Sequence, residues 1–359
     1  MYPAMPILAP ASGPSGRPPE SVAIVMLSAI GDSVHVLPVI ASLRDAWPRV
    51  RITWVIQPTA HALMAGRPDV DDFVVFQRSH GMRGFLDVRR AVQNRRFDLA
   101  IDLQVYFKAG LLTALLPAER KLGFDRARAR DANWLFTNER IPPHAPQHVQ
   151  DQYLEFVEYL GLEPRRRWDF HFTPEELARR DAFLARLDRP AMAVILRTSR
   201  PQKNWPAERY ARVLEIAEHD LGLQPVLVGS AAPDEVAVAE EVMRLTRATP
   251  INALANDLRG LAALLSGCAL LLSPDTGPLH VAVALGVPTI GLYGYTDPKR
   301  SGPYRRFGDL TVDRYTRPGE TTPSMEFRPG NMERIEVDDV AEKLELAVSR
   351  YDVAGAVPT

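Results

Sequence analysis

Cysteine is nearly absent. The chain carries one, Cys268, inside the apolar run Cys268-Ala269-Leu270-Leu271-Leu272. A single thiol excludes a disulfide framework within the chain, points to a reducing, cytoplasmic compartment, and reads as a small core residue rather than a nucleophile. Long apolar runs are missing as well, and none approaches the roughly 18–20 residues that a membrane span needs. Neither sign of charge is in excess. With 43 Lys and Arg against 44 Asp and Glu, the basic surplus of a nucleic-acid binder is absent. The Gly-x-Gly-x-x-Gly fingerprint is absent too, which argues against an NAD-dependent oxidoreductase. Metal-ligand spacing is poor. His144 and His148 stand four apart among prolines, no Asp-x-Asp pair sits in a suitable loop, and Asp71-Asp72 reads as surface. No metal requirement is expected.

What is present is a strand–helix alternation over 359 residues, 46% of them hydrophobic, which is enough chain for two domains. The first twenty residues are rich in Pro, Ala, Gly and Ser, lack the pattern of a signal peptide, and are expected to form a disordered tail. Strands are expected at Ser21–Leu27, Arg51–Ile56, Asp72–Phe76 and Leu99–Leu103. Helices are expected after Asp32 to about Ala46, at Phe85–Asn94 and at Lys108–Leu116. Prolines 142, 143 and 146 break the pattern, and a helix over Gln147–Leu160 follows. The second half repeats the alternation, with strands near Ala191–Leu196, Pro225–Val228, Ala269–Ser273 and Thr289–Tyr293 and a last helix over Val337–Tyr351. The fold class expected is α/β, with two Rossmann-like lobes facing a cleft. The division is a tail 1–20, a first Rossmann-like domain 21–165, a second 166–335 and a C-terminal helix and tail 336–359. Ligands of such sheets bind beyond the carboxyl ends of the strands.

Four segments fall at such strand ends. The first is Leu27-Ser28-Ala29-Ile30-Gly31-Asp32, where Gly31 permits close backbone approach and Asp32 stands at a helix start. Asp32 there is a helix-capping residue or a reactive carboxylate. The second is Arg197-Thr198-Ser199-Arg200-Pro201-Gln202-Lys203-Asn204-Trp205-Pro206, whose hydroxyls, amides and cations suit a diphosphate. The same stretch also reads as a polar loop with Pro206 opening a helix. The third is Ser273-Pro274-Asp275-Thr276-Gly277-Pro278-Leu279-His280. It sets an acid and a helix start at a strand end, and His280 reads as structural or as a ligand. The fourth, Gly229-Ser230-Ala231-Ala232-Pro233-Asp234-Glu235, offers carboxylates that either stabilise a helix start or grip ribose hydroxyls.

In order and spacing these segments resemble glycosyltransferase family 9, the ADP-heptose:lipopolysaccharide heptosyltransferases, over about Val22 to Tyr304. The most specific piece is Asp275-Thr276-Gly277-Pro278-Leu279-His280 followed by Leu292-Tyr293-Gly294-Tyr295-Thr296-Asp297-Pro298. The resemblance implies a glycosyltransferase B fold and inverting, metal-independent transfer of heptose from ADP-heptose to a Kdo or heptose of a lipopolysaccharide core. Asp32 matches the catalytic base and Lys203 the lysine that neutralises the donor phosphates, with Thr198 and Ser199 beside it. Glu235 looks like the ribose-binding acid and Asp275 like the residue that orients the heptose. Thr276, Gly277 and His280 resemble the phosphate-facing helix start, and Asn256 or Leu254 the adenine neighbourhood. An acidic acceptor wants cations on the first lobe, for which Arg78, Lys108 and Arg128, with Arg126 and Arg130, are candidates. The partners implied are a nucleotide sugar and a lipid acceptor, with peripheral contact at the cytoplasmic face of the inner membrane and no nucleic acid. The segment Gln104-Val105-Tyr106-Phe107-Lys108 departs from the family where relatives often carry a glycine after the Gln. The alternatives are a transferase using another nucleotide sugar or acceptor and a non-catalytic binder on the same fold.

Overall fold

A computed structural model describes residues 17–351 and 353. The expected N-terminal tail therefore lies outside the described residues except for 17–20. The chain divides into two units. One comprises the described residues up to Ala145 together with Val149–His171, and the other Pro146–His148 with the described residues from Phe172 onward.

The first unit runs β1 (Ser21–Val25), α1 (Ile30–Ala46), β2 (Arg51–Ile56), α2 (Pro58–Met64), β3 (Asp72–Val75), α3 (Met82–Val92), β4 (Phe97–Asp102), α4 (Phe107–Leu115), β5 (Ala118–Gly123), β6 (Glu139–Arg140) and α5 (Val149–Tyr159). Its six strands are all parallel, in the order β3-β2-β1-β4-β5-β6. Central strand β1 contributes Val22, Ala23, Ile24 and Val25, all fully buried, as a strand covered on both faces must be. Helix α1 packs against α5, and its side chains from Ser33 to Leu43 are buried.

The second unit runs α6 (Pro174–Leu184), β7 (Ala191–Val194), α7 (Ala207–Glu215), β8 (Gln224–Val228), α8 (Pro233–Leu245), β9 (Ile251–Ala253), α9 (Leu258–Leu265), β10 (Leu270–Pro274), α10 (Gly277–Leu285), β11 (Thr289–Tyr293), α11 (Pro298–Ser301), β12 (Thr311–Asp313) and α12 (Val337–Arg350). Its sheet order is β12-β11-β10-β7-β8-β9. Counted from its own first strand, β7, this is the connectivity of the first unit. Each sheet therefore has one point where the chain reverses direction across it, between β1 and β4 and between β7 and β10. Ligands of open parallel sheets bind at such a point.

Three expectations need revision. The division falls after His171 rather than after residue 165. Arg165 donates its amide to Ser42 Oγ at 2.8 Å and pairs with Asp45 at 2.9 Å, which holds this stretch on the first unit. His148 meets Gly302 O at 2.9 Å and stacks near Tyr304, so residues 146–148 belong with the second. Helix α12 is part of the second unit's core through Val340, Leu344 and Ala347, rather than a separate appendage. The edge strands β6, β9 and β12, the strand β5 beside β6, and the helices α2 and α6 were also unanticipated. Helix α6 had announced itself by a capping box: Thr173 Oγ1 accepts from Glu176 N at 3.2 Å, and Glu176 accepts from Thr173 N at 2.9 Å. Cys268 is buried, and burial pushes its thiol up to about 12, which makes it an inert core residue.

Candidate active site

Of the residues singled out from sequence, Lys203, Asp275, Thr276, Gly277 and His280 follow the two strands at the reversal point of the second unit, and Gly31 and Asp32 follow β1 at that of the first. In the second unit the loop after β7 carries Lys203, and the turn after β10 carries Asp275. Lys203 Nζ donates to Asp275 Oδ2 at 2.7 Å and to Asp275 O at 2.9 Å. Thr296 Oγ1 donates to the same Oδ2 at 2.6 Å, and His280 Nε2 stands 3.4 Å from Oδ1. Burial opposes ionisation of Asp275. The hydrogen bond to His280 and the charge of Lys203 outweigh it and hold the carboxyl well below the usual range. An ammonium has three protons to give. Two of those on Lys203 are committed to Asp275, and the third remains for an anion.

That pair is placed by its loops. Trp205, two residues after Lys203, is buried and donates Nε1–H to Ile335 O at 2.9 Å, which anchors the Lys203 loop to the segment before α12. Thr198 donates its amide to Asn204 Oδ1 at 2.9 Å, and its hydroxyl bonds Arg200 O at 2.7 Å. The Thr198 side chain thus shapes the loop rather than projecting from it, whereas Ser199 is exposed. Gly294 follows β11 where a Cβ would come within 2.5 Å of Met332 N, so no larger residue fits between Tyr293 and Tyr295. Helix α10 starts at Gly277 with Thr276 at its N-cap. The Thr276 hydroxyl is directed to Ser273 Oγ at 3.1 Å, and no side chain caps the helix. Its first-turn amides are therefore open to an anion.

Glu235 lies in the first turn of α8. Its Oε2 accepts from Ser230 N at 2.6 Å and would collide, at 2.5 Å, with any Cβ at Gly229. This turn needs both residues, and Oε1 is left for another donor. Arg197 forms a close ion pair with Asp234. Asn256 Nδ2 bonds Ala253 O at 2.7 Å beyond the end of β9.

In the first unit Gly31 is buried and Asp32 half-buried in the first turn of α1. The N-cap is Ala29, which has no side-chain acceptor, so only one arm of a capping box exists: Ala29 N donates to Asp32 Oδ2 at 3.0 Å. Tyr153 Oη donates to Asp32 Oδ1 at 3.2 Å. Gln104, at the carboxyl end of β4, accepts from Leu27 N at 3.2 Å and donates to Ser28 O at 2.7 Å, bridging the reversal point just before Asp32. Behind it Asp102 accepts from Gln104 N at 3.0 Å and from Asn133 Nδ2 at 3.0 Å. Burial pushes the Asp102 carboxyl up to about 7, although hydrogen bonds from Asn133 and Gln104 oppose that shift. Sequence reasoning overlooked Gln104, Tyr153 and Asp102 in these roles. The place of Gln104 just after a central strand was the one available signal.

The acceptor-side cations part company. Arg78 and Lys108 are exposed, as are Arg126 and Arg130. Arg128 is a correction. It is largely buried, bound to Asp125, to Glu155 Oε1 at 2.8 Å and to Pro142 O at 2.9 Å, so it is a structural tie rather than an available cation. Among the described residues no group of three or more His, Cys, Asp or Glu could hold a metal ion, and no helix is long and apolar enough to cross a membrane.

Comparison with known proteins places this arrangement. The family model described as glycosyltransferase family 9 (heptosyltransferase) matches residues 85–314. The chain is 32% identical over 294 residues to the lipopolysaccharide core heptosyltransferase OpsX of Haemophilus influenzae, covering 81% of this chain and 84% of that protein. It is 28% identical to lipopolysaccharide heptosyltransferase 1 of Escherichia coli K12, covering 79% of this chain and 90% of the relative. The crystal structure of a family 9 glycosyl transferase from Veillonella parvula superimposes with a TM-score of 0.75 at 23% identity, over 92% of this chain and 97% of that one. The E. coli heptosyltransferase WaaC with ADP-2-deoxy-2-fluoro heptose superimposes with a TM-score of 0.65 at 25% identity, over 92% and 99%. The fold is of the glycosyltransferase B type, and the chain belongs to glycosyltransferase family 9, the heptosyltransferases, and is a glycosyl-transferring enzyme.

Proposed function

We propose that the protein transfers heptose from ADP-heptose, with inversion and without a metal, to a Kdo or heptose of a lipopolysaccharide core at the cytoplasmic face of the inner membrane. The observation that carries this reading is the pair of half-buried Lys203 with buried Asp275, set beside the uncapped start of α10. A sugar diphosphate has two demands, hydroxyls to orient and negative charge to stabilise as it leaves. Asp275 Oδ1, with one long contact to His280, has acceptor capacity for a sugar hydroxyl. The third proton of Lys203 and the α10 amides meet the diphosphate. Glu235 Oε1 takes ribose hydroxyls, and Asn256 lies on the adenine side.

Asp32 supplies the base. Its carboxylate removes the proton of an acceptor hydroxyl as that oxygen attacks the anomeric carbon, the bond to the diphosphate breaks, and ADP leaves. A single displacement of this kind inverts the anomeric centre. Tyr153 and the Ala29 amide fix the carboxylate's orientation. Arg78 and Lys108 attract the acidic acceptor. Support for the substrates comes from the relatives: one is named for the lipopolysaccharide core and another was solved with a fluorinated ADP-heptose.

The test is to incubate the protein with ADP-heptose and truncated lipopolysaccharides and follow mass. Gain of one heptose on a core acceptor is expected, with the anomeric configuration of the product read by NMR. Transfer from another nucleotide sugar but not from ADP-heptose would refute the donor assignment.

A further inference from the structure

Every exposed large apolar side chain among the described residues of the first unit falls in one neighbourhood. They are Met82, Leu86, Tyr106, Phe107 and Leu135. Met82 and Leu86 belong to α3, Tyr106 and Phe107 open α4, and Leu135 lies in a single 3-10 turn over Asn133–Phe136. Helix α3 packs against α4, and α4 against that turn. The two helices cover the same face of the sheet, since Val88, Val92, Ala109 and Leu112 share one core with β1 and β4. Both begin beyond the carboxyl ends of their strands, β3 and β4, which is the edge of the sheet where Asp32 follows β1.

The inner face of α3 is fully used. Gly84 is pressed so closely on the β3 turn that a Cβ would meet Gln77 O at 2.5 Å, and Val88 and Val92 are buried. The outer face is not used. Met82 is 71% exposed and Leu86, one turn on, 49%. Arg83, Arg89 and Arg90 are exposed around them, and the sole acid of α3, Asp87, stands 3.4 Å from both His80 and Arg90. On the neighbouring ridge Phe107 meets Phe136 edge to face at 5.2 Å beside the exposed Lys108. Arg126 there lies over Trp134, 4.3 Å from its centroid, and the exposed acid Asp131 follows five residues later in the same loop. The chain as a whole carries a net charge of −1, so this concentration of cations is local.

We propose that this surface docks on an anionic phospholipid bilayer. Apolar side chains interleaved with arginines on an exposed helix are the pattern of a segment that lies in the headgroup region, its cations against lipid phosphates. The inference rests on the lipid-linked acceptor of the preceding section. A membrane at this edge presents an embedded acceptor's sugar to the end of the sheet that carries Asp32.

The test uses the full chain with vesicles of phosphatidylglycerol and phosphatidylethanolamine, and with vesicles of phosphatidylcholine alone, in cosedimentation. Binding to the anionic vesicles, none to the neutral ones, and weakening as NaCl rises are expected. Arg83→Ser/Arg89→Ser/Arg90→Ser should lower the partition coefficient on the order of 100-fold. Met82→Ser/Leu86→Ser should lower it about ten-fold. Met243→Ser/Leu245→Ser, exposed apolar residues of the other unit, should leave it unchanged. Transfer to a deacylated, water-soluble acceptor is measured alongside and should survive in Met82→Ser/Leu86→Ser. A wild-type protein that ignores anionic vesicles, or α3 variants that bind like wild type, would overturn the docking surface while leaving heptose transfer untouched. A concentration-dependent dimer in analytical ultracentrifugation, abolished by Met82→Ser/Leu86→Ser, would overturn it in favour of a second copy of the chain. Absence of transfer to the soluble acceptor would instead count against the proposed reaction and not against the surface.

Discussion

The two sheets share one connectivity, yet their carboxyl edges are built differently. At the reversal point of the second unit, charge is already neutralised inside the protein, with Lys203 and Thr296, half-buried, and Asp275 and His280, buried, in one network. At the corresponding point of the first unit, Asp32 is half-buried and held by one amide and one phenol, while Arg78, after β3, and Lys108, in α4, reach solvent unpaired among the described residues. A preorganised network suits a ligand of fixed size and charge such as a nucleotide diphosphate, because its dipoles need not rearrange when charge develops. An open edge suits a larger and more variable partner. The same fold thus supplies a preorganised strand end in one unit and an open one in the other, and the difference lies in which loops bury their charges.

That contrast is broken most severely at Asp32. Asp32→Asn keeps the acceptor for the Ala29 amide and removes the base. Turnover should fall by about 10²–10⁴-fold with donor affinity preserved, read by steady-state kinetics beside ADP titration. Full turnover in the folded variant would remove the base assignment.

Arg128 tests whether the first unit also contains a neutralised network. Arg128→Ala removes the guanidinium that balances Asp125 and Glu155, both largely buried, so thermal or denaturant unfolding should show a loss of about 3–5 kcal/mol. If the fold were untouched and acceptor KM rose instead, the original assignment of Arg128 as an acceptor contact would be restored. On the other sheet, Lys203→Ala should lower kcat/KM by about 10²–10³-fold with both donor affinity and turnover affected. Lys203→Arg should recover only part of this, since a planar fork cannot place single protons on Asp275 O and Oδ2 together with a phosphate.

Asp102 gives a pH signature. Its carboxyl is raised from the ordinary value of 3.8 to about 7, chiefly by burial. Between those values the native protein keeps a proton that the unfolded chain releases, so the stability contributed by the protonated acid is complete below about pH 4 and disappears as pH rises through 7. Melting temperatures measured from pH 5 to 8 should fall in the wild type. Asp102→Asn, which stays neutral and still accepts from Gln104 N, should flatten that decline, worth on the order of 1–3 kcal/mol at pH 8. An unchanged slope would mean that Asp102 is not the titrating group.

The sequence already disclosed the central strands and the loops that follow them, because a strand buried on both faces is an uninterrupted apolar run and its turn is short and small. Strands β2 and β11 have the expected ends, and the Lys203 and Asp275 segments occupy the strand ends where they were sought. Strand β5, next to the short edge strand β6, was not visible, since Glu119, Arg120 and Lys121 interrupt any apolar run and are exposed or only half-buried. The burial of Arg128 could not be read either. Asp125, three residues earlier, was a hint, but Glu155 is 27 positions away and only the fold brings it there. Gln104 was legible as a strand-end residue and not as a clamp, because its partners, Leu27 and Ser28, belong to a strand neighbour far away in the chain.

The smallest effects are expected where the first unit's edge is most open. Arg78 and Lys108 are exposed and bear no ion pair among the described residues, so their removal strands no buried charge and should leave the melting temperature unchanged. Their contribution is attraction in a high-dielectric setting. Arg78→Ala and Lys108→Ala should therefore raise acceptor KM by about 2–5-fold each, leave kcat near wild type, and lose their difference from wild type as salt is increased. A large kcat effect for Lys108→Ala would show instead a cation in contact with the reacting acceptor, and the two edges would then be alike: each would carry a lysine committed to substrate charge, one held in advance by a carboxylate and the other recruited only when substrate arrives.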